Sequence, residues 1–310
     1  MALVHLRVVC PKPLVDRAVD ALKDRAGVVA VTVSAESSDG GVVTADLARE
    51  CANDVLSDLR KLGVTEDGML TLEPLDTAVG GLADKAEQGA PGEGADAVVW
   101  DELAERTGED STLTSTFLAF MVLATLLATI GVVTDSQITI VGAMVVGPEF
   151  GPLAGLAVAL FRRHLGIAQS AAIALLVGFP VAIIVCGLLS ALARFAGLIS
   201  PSDLVGNSET QYIYHPGWFS LITALVAGTA GMLSLTSSKS AVLVGVFISV
   251  TTIPAAGNAA VAGVLGKWYE TWQSLAQLGI NLVGILVAAV ITLAIRGATA
   301  PTGRPSSRLG

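Results

Sequence analysis

The sequence has little charge and few residues that could hold a metal ion. Only 15% of its 310 residues are charged, and it contains three cysteines and three histidines. The cysteines are too few and too scattered for a disulfide framework or a zinc site, and no histidine has a second ligand at metal-binding spacing. We therefore expect no metal and no cofactor. The residues concerned are Cys10, Cys51, Cys186, His5, His164 and His215.

The groupings typical of enzymes and nucleic-acid-binding proteins are also missing. No serine, cysteine or histidine stands beside a base at catalytic spacing, and the apolar part has no paired carboxylates. Residues 1–114 carry 22 acidic and 10 basic side chains, a net charge of −12. Because such a surface repels phosphate, we expect no nucleic-acid partner and no enzyme activity.

What the sequence has in excess is apolar residues, and they are unevenly distributed. Hydrophobic residues make up 53% of the chain, glycine occurs 33 times, and the mean hydropathy is +0.70. The acidic side chains are concentrated before residue 115, whereas the rest is nearly neutral. This distribution predicts a soluble acidic domain followed by a bundle of transmembrane helices.

The first 77 residues predict a βαββαβ order. The strand-like runs are LVHLRVVC, VVAVTVSAE, VVTADLA and MLTLEPL, and helical spacing of apolar residues covers 14–26 and 50–62. This order is that of the ferredoxin-like fold. Because the chain opens on a strand and not on a signal peptide, we expect the domain in the cytoplasm. We favour an assembly or regulatory role over a dedicated ligand site, and both remain open.

Residues 78–114 connect this domain to the apolar part. Five glycines and a proline between residues 78 and 97 predict a flexible linker. The run AVVWDELAERTGED then predicts a short amphipathic connector helix ahead of the first span.

About six apolar segments are long enough to cross, or nearly cross, a bilayer. They form two triplets, at residues 115–197 and 216–296, separated by an extracytoplasmic loop at 198–215 and followed by a basic cytoplasmic tail at 297–310. The segments are 116–133, 138–160, 168–192, 218–235, 241–265 and 275–295.

The two triplets resemble each other. The link TDSQ precedes the second segment of one triplet and SSKS that of the other, and Val141-Gly142 matches Val244-Gly245. Because each triplet has an odd number of spans, the second enters the membrane in the opposite orientation, which makes an inverted repeat. Arginines lie between the second and third segments of the first triplet and in the tail. By the positive-inside rule they predict that both chain ends are cytoplasmic.

The middle segment of each triplet is interrupted by proline and glycine. Free backbone groups are costly in lipid unless they line a polar cavity, and paired interrupted helices form the central site of many transporters. The alternative is that the prolines and glycines only kink and pack the helices. Glu149, an acid between two prolines, favours a binding or transport site over that alternative. The candidate residues for a substrate or ion path are Gly147, Pro148, Glu149, Gly151, Pro152, Thr251, Thr252, Pro254 and Asn258.

Two stretches carry a family resemblance. ATIGVVTDSQITIVGAMVVGPEFGP and SSKSAVLVGVFISVTTIPAAGNA resemble the signature stretches of the bacterial and archaeal uncharacterised hydrophobic domain, domain of unknown function 389. The resemblance implies a prokaryotic integral membrane protein, hence a multi-pass protein of the cytoplasmic membrane. It implies no substrate and no site residues.

The leading hypothesis is a transporter or channel for a small solute or ion, with the acidic domain regulating or assembling it. The alternative is a membrane-anchored sensor or scaffold whose soluble domain binds a ligand or partner. Since a ferredoxin-like sheet exposes edges that commonly pair, we also expect a homo-oligomer in the lipid bilayer.

Overall fold

The computed structural model describes residues 3–36, 40–75, 77–90, 97–204, 213, 217–237 and 250–299. The chain divides into two compact units. The first is built mainly on residues up to Leu103, and the second on Ala104–Leu235 together with the helices between residues 250 and 295.

The first unit contains a four-stranded antiparallel sheet. Its strands are β1 (Leu3–Cys10), β2 (Val28–Glu36), β3 (Gly41–Ala48) and β4 (Met69–Leu75), in the spatial order β2-β3-β1-β4. The alternation of apolar and polar residues that predicted these strands places every second side chain of β1 and β3 in the core. The expected four-stranded sheet at the amino terminus is confirmed.

Helices α1 (Lys12–Leu22), α2 (Ala52–Lys61) and α3 (Val64–Asp67) complete the core of this unit. Their buried side chains include Val15, Leu22 and Leu59, which join Leu6 and Val8 of β1 in one hydrophobic cluster. The expectation that the first helix runs to residue 26 was wrong. It ends at Leu22, and Asp24 then adopts a positive φ of 58°.

The flexible-linker prediction also needs correction. Residues Gly81–Gly89 form helix α4, whose Ala83 and Ala86 are buried. A Cβ on Gly89 would lie 2.7 Å from the backbone nitrogen of Gly27, the residue directly before β2. Because glycine has no side chain, the helix can approach the backbone at this point closely. Small residues therefore serve packing here, and composition alone did not distinguish that use from flexibility.

Helix α5 (Trp100–Asp110) stands where the connector helix was expected. Its start is held by Asn53, whose side-chain amide donates to Val98 O at 2.7 Å and accepts from Trp100 N at 3.0 Å. Arg49 and Arg60 add ion pairs to Glu102 and Asp101.

The second unit is helical and apolar. In the described part of the chain, four helices are long and apolar enough to cross a membrane, namely α6 (Ser115–Val133), α9 (Leu165–Phe195), α10 (Trp218–Leu235) and α12 (Trp268–Thr299). A fifth candidate is the pair α7 (Gln137–Val146) and α8 (Phe150–Arg162), which bends by 48° at its break. These helices make the chain a multi-pass membrane protein.

The remaining predicted span, 241–265, lies partly outside the described residues, which resume at Val250. Its described part is helix α11 (Thr252–Val264). All residues from Thr252 to Ala262 are buried, and the helix packs against α6 and α9. Large apolar side chains such as Leu176 and Leu188 of α9 point outward, as lipid-facing residues do. Helix α11 therefore lies at the centre of the second unit.

Candidate functional site

The break between α7 and α8 is produced by glycine and proline. Helix α7 ends at Val146, with Gly147 N donating to Ala143 O at 3.2 Å. Glu149 then occupies the N-cap position of α8. Pro152, the third residue of α8, is tolerated because first-turn amides lack intrahelical acceptors.

Helix α11 begins in the same way. Thr251 is its N-cap residue, Ala255 N donates to Thr251 O at 3.2 Å, and Pro254 is the third residue of the helix. Both interrupted segments thus place a helix amino terminus, followed by a proline, inside the second unit.

The two helix beginnings meet. Thr252 Oγ1 donates a hydrogen bond of 2.6 Å to Glu149 Oε1, across 103 residues of sequence. A Cβ on Gly147 would collide with Glu149 Oε2 and would lie 2.7 Å from Ile253 Cγ1. Glycine is therefore needed at residue 147 because the carboxyl group and helix α11 occupy the space of its side chain.

Helix α12 adds two amides to this junction. Thr251 Oγ1 accepts from Asn281 Nδ2 at 3.0 Å and from Gln277 Nε2 at 3.3 Å. Gln277 Nε2 also lies 3.4 Å from Asn281 Oδ1. We name Glu149, Thr251, Thr252, Gln277 and Asn281 the junction cluster.

Asn258 belongs to a neighbouring polar contact further along α11. Its Nδ2 donates to Ser274 Oγ at 2.8 Å, and Ser274 Oγ in turn donates to Glu270 O at 2.8 Å. Asn258 is therefore held by α12 and not by the Glu149 carboxyl group.

Three buried oxygens at and beside the junction have no hydrogen-bond partner among the described residues. They are Glu149 Oε2, Gln277 Oε1 and Asn258 Oδ1. All three are acceptors, and a buried acceptor without a donor costs free energy, about 1–3 kcal/mol for a neutral group. The region therefore lacks donors or positive charge.

The space around the carboxyl group is small. A cavity of about 10 Å³ is lined by Glu149 and Thr252 together with apolar side chains that include Phe150 and Ile285. Such a volume suits about one water molecule. The conformation described is thus closed around Glu149.

Helix α5 packs against the first two turns of α8. A Cβ on Gly151 would lie 2.9 Å from Asp110 Cβ, and one on Gly155 would collide with Ser111 Oγ. Partial burial raises the pKa of Asp110, and Arg106 partly opposes this shift. Gly151 is therefore a packing residue.

The predicted site residues thus fall into three groups. Gly147, Glu149, Thr251 and Thr252 come together at the junction. Gly151 and the prolines at 148, 152 and 254 shape or pack the two breaks, and Asn258 forms a separate contact. The candidate site residues predicted from the sequence did not include Asn281, Gln277 or Ser274. Their spacing of three and four residues along one helix was the available signal.

Comparison with known proteins agrees with the two quoted stretches. Residues 144–287 match the family described as Domain of unknown function (DUF389). Over these 144 of its 310 residues the chain is similar to that family. The matched range contains the α7–α8 break, α11 and the part of α12 that bears Gln277 and Asn281. The resemblance expected from the sequence is therefore confirmed.

A relative is known from an archaeon. An uncharacterised protein of Methanocaldococcus jannaschii is 26% identical over 203 residues, which cover 64% of this chain and 60% of the relative. The chain thus matches less than two thirds of that protein's length. No solved structure matches the chain.

Proposed function

We propose that this protein is a transporter or channel for a small solute or ion, and that its path passes the junction cluster. One observation carries the proposal: the amino termini of α8 and α11, which are distant in sequence, meet at a buried carboxyl group inside an apolar helical unit. Uncompensated polar groups are expensive in a membrane and are retained mostly where they bind or conduct something.

A repeated sequence supports a duplicated membrane unit. The pattern Pro-x-Ala-Gly-x-Ala occurs at residues 152–157 and again at 254–259, each time directly after a break. Helices α8 and α11, which carry it, have the same length of 13 residues. We take the two as equivalent half-helices of an inverted repeat, the arrangement from which many transporters build their central site.

The proposed topology follows from charge. Arg162 and Arg163 follow α8, and Arg296 lies near the end of α12. By the positive-inside rule these positions are cytoplasmic, which places both chain ends on the cytoplasmic side of the inner membrane.

For the first unit we propose a ferredoxin-like regulatory or assembly domain. The order β2-β3-β1-β4 with helices after β1 and β3 supports that fold. Strands β2 and β4 are the edges, and edge pairing is the proposed route to a homo-oligomer. Neither enzyme activity nor nucleic-acid binding forms part of the proposal.

A sensor or scaffold is the second candidate, and the small cavity favours it. With about 10 Å³ beside Glu149, the junction as described has no passage for a solute. Under this alternative the junction cluster only fixes the helices, and the soluble domain does the binding.

Current measurements on reconstituted protein separate the two candidates. Vesicles of phosphatidylethanolamine and phosphatidylglycerol containing the full chain are adsorbed on a solid-supported membrane. They then receive concentration jumps of sodium, potassium, ammonium, chloride, phosphate and acetate salts, with protein-free vesicles as blank. Transport predicts a current for at least one probe.

Matched variants locate the path. Thr252→Val removes the hydroxyl group that binds Glu149 and keeps the side-chain shape, so it should abolish the current. Leu176→Ala changes an exposed side chain of α9 and should leave it unchanged. Absence of current in the correctly inserted wild type for every probe would contradict transport. An unchanged current in Thr252→Val would contradict the site.

A further inference from the structure

Among the residues the structure describes, Glu149 is the only buried acidic or basic side chain of the second unit. Its exposed fraction is 9%, and the other buried polar residues of that unit are neutral threonines, serines, asparagines and a glutamine. Its one side-chain partner is the hydroxyl group of Thr252, at Oε1. Oε2 is buried and has no partner in the described part of the chain.

Among the described residues, no positively charged side chain lines the cavity beside the Glu149 carboxyl group. Helices α10 and α11 contain no charged residue, and α12 faces the junction with the neutral amides of Gln277 and Asn281. On α5, Asp110 lies against Gly151, two residues after Glu149, and Arg106 and Glu109 are on the same helix.

A single carboxyl group restricts the ions that this site can take. Calcium and magnesium sites in proteins use several oxygen ligands, commonly more than one carboxylate, and retain or replace a large hydration shell. The cavity beside Glu149 and Thr252 holds about one water molecule, 10 Å³, which is too small for a hydrated metal ion. A proton needs no such space, since it binds directly to one carboxyl oxygen.

We propose that Glu149 is a proton-binding site, protonated at Oε2 in the closed conformation described, and that the proton is the ion moved or coupled at the junction. The proposal rests on the proposed transport function for the movement of the proton, but not for its binding. When the break opens to water, the carboxyl group becomes hydrated and releases the proton.

Carbodiimide labelling tests the binding directly. Dicyclohexylcarbodiimide reacts with a protonated carboxylic acid: the acid's O–H adds across one C=N bond, and the O-acylisourea rearranges to a stable N-acylurea without a further reagent. The full chain in lipid vesicles is treated at several pH values and mapped by mass spectrometry of its peptides. We expect an adduct at Glu149 at neutral pH that declines as the pH rises.

One acid and one variant serve as references. Glu270 is half-buried and its carboxyl group forms an ion pair of 3.1 Å with Lys267, so it should not be labelled at neutral pH. Glu149→Gln keeps the shape of the side chain and should lose the adduct. Because the bulk of the reagent limits its access to a buried carboxyl group, infrared spectroscopy of the same vesicles provides a second measurement of protonation. The wild type should show the carbonyl band of a protonated carboxyl group, and Glu149→Gln should lack it.

The outcomes separate the alternatives. Neither adduct nor infrared band at any pH would overturn the proposal. Labelling that sodium suppresses at constant pH and ionic strength, with choline as the replacement ion, would also overturn it in favour of an alkali cation. Labelling that sodium does not change supports the proton as the ion that binds to Glu149. If labelling occurs but no salt or pH jump produces a current, proton binding stands and the transport function fails.

Discussion

Replacing Gly257 by alanine should loosen the packing that holds α11 against α6. A Cβ at this position would lie 2.9 Å from Ala128 Cβ, 2.9 Å from Thr129 N and 3.1 Å from Ala128 C. Carbon atoms pack at about 3.5–4.0 Å, so the helices must separate by several tenths of an ångström. Two of the three neighbouring atoms belong to the backbone of α6 and cannot rotate away.

The magnitude follows from two opposing effects. Inserting a methyl group into a close-packed contact costs about 1–3 kcal/mol. Alanine also favours the helix over glycine by about 0.5–1 kcal/mol. The net expectation for Gly257→Ala is a loss of about 1–2 kcal/mol in the free energy of unfolding.

Gly279→Ala is the matched control because a Cβ on Gly279 would meet nothing within 4 Å. It should leave stability unchanged or raise it slightly. Both variants are measured by reversible unfolding of the full chain in mixed micelles with increasing denaturing detergent. Adding Ala128→Gly to Gly257→Ala should restore part of the loss. Equal stability of the two single variants would refute the close contact of α11 with α6.

Three further predictions concern other sites. Gly147→Ala should displace the Glu149 carboxyl group and reduce its carbodiimide labelling. Gly142→Ala, with nothing within 4 Å of its Cβ, should not. Burial raises the pKa of Cys51 to about 11, so iodoacetamide should modify it at neutral pH only after unfolding, as quantified by mass spectrometry. Hydrogen bonds from Lys61 and then Arg25 lower the pKa of Asp58. This stabilisation is present above the carboxyl group's unfolded pKa and is lost as the pH falls through the lowered value. In Asp58→Asn, the hydrogen-exchange protection of α2 should therefore fall less than in the wild type as the pH is lowered. The same pH dependence in both proteins would contradict the stabilising role of the Asp58 hydrogen bonds.

Local patterns predicted most of the secondary structure. Alternation of apolar residues identified all four strands, and long apolar runs identified α6, α9, α10 and α12. These signals suffice because each depends on which face of one element is buried. They failed at α4, where glycine and alanine serve close packing against the backbone of Gly27, a contact that only tertiary structure reveals.

The junction cluster was predictable in part. Proline and glycine located the break between α7 and α8 and lie near the start of α11, and an acid in an apolar segment drew attention to Glu149. The sequence could not show that Thr252 binds Glu149, since the two lie 103 residues apart and their meeting depends on helix packing. Gln277 was missed because a glutamine within a helix is usually exposed, and its burial here depends on the approach of Thr251.

The central claim, that water reaches the junction of the two broken helices during function, is tested most directly by cysteine accessibility. Thr252→Cys and Ala289→Cys are made in a full-length chain whose native cysteines are replaced by serine or alanine. Both positions are 1% exposed, but Ala289 lies on α12 outside the junction cluster. The variants in lipid vesicles are treated with a charged, membrane-impermeant methanethiosulfonate reagent. The account predicts that Cys at 252 reacts and Cys at 289 does not. If both remain unreactive, the breaks are packing features and the account is contradicted.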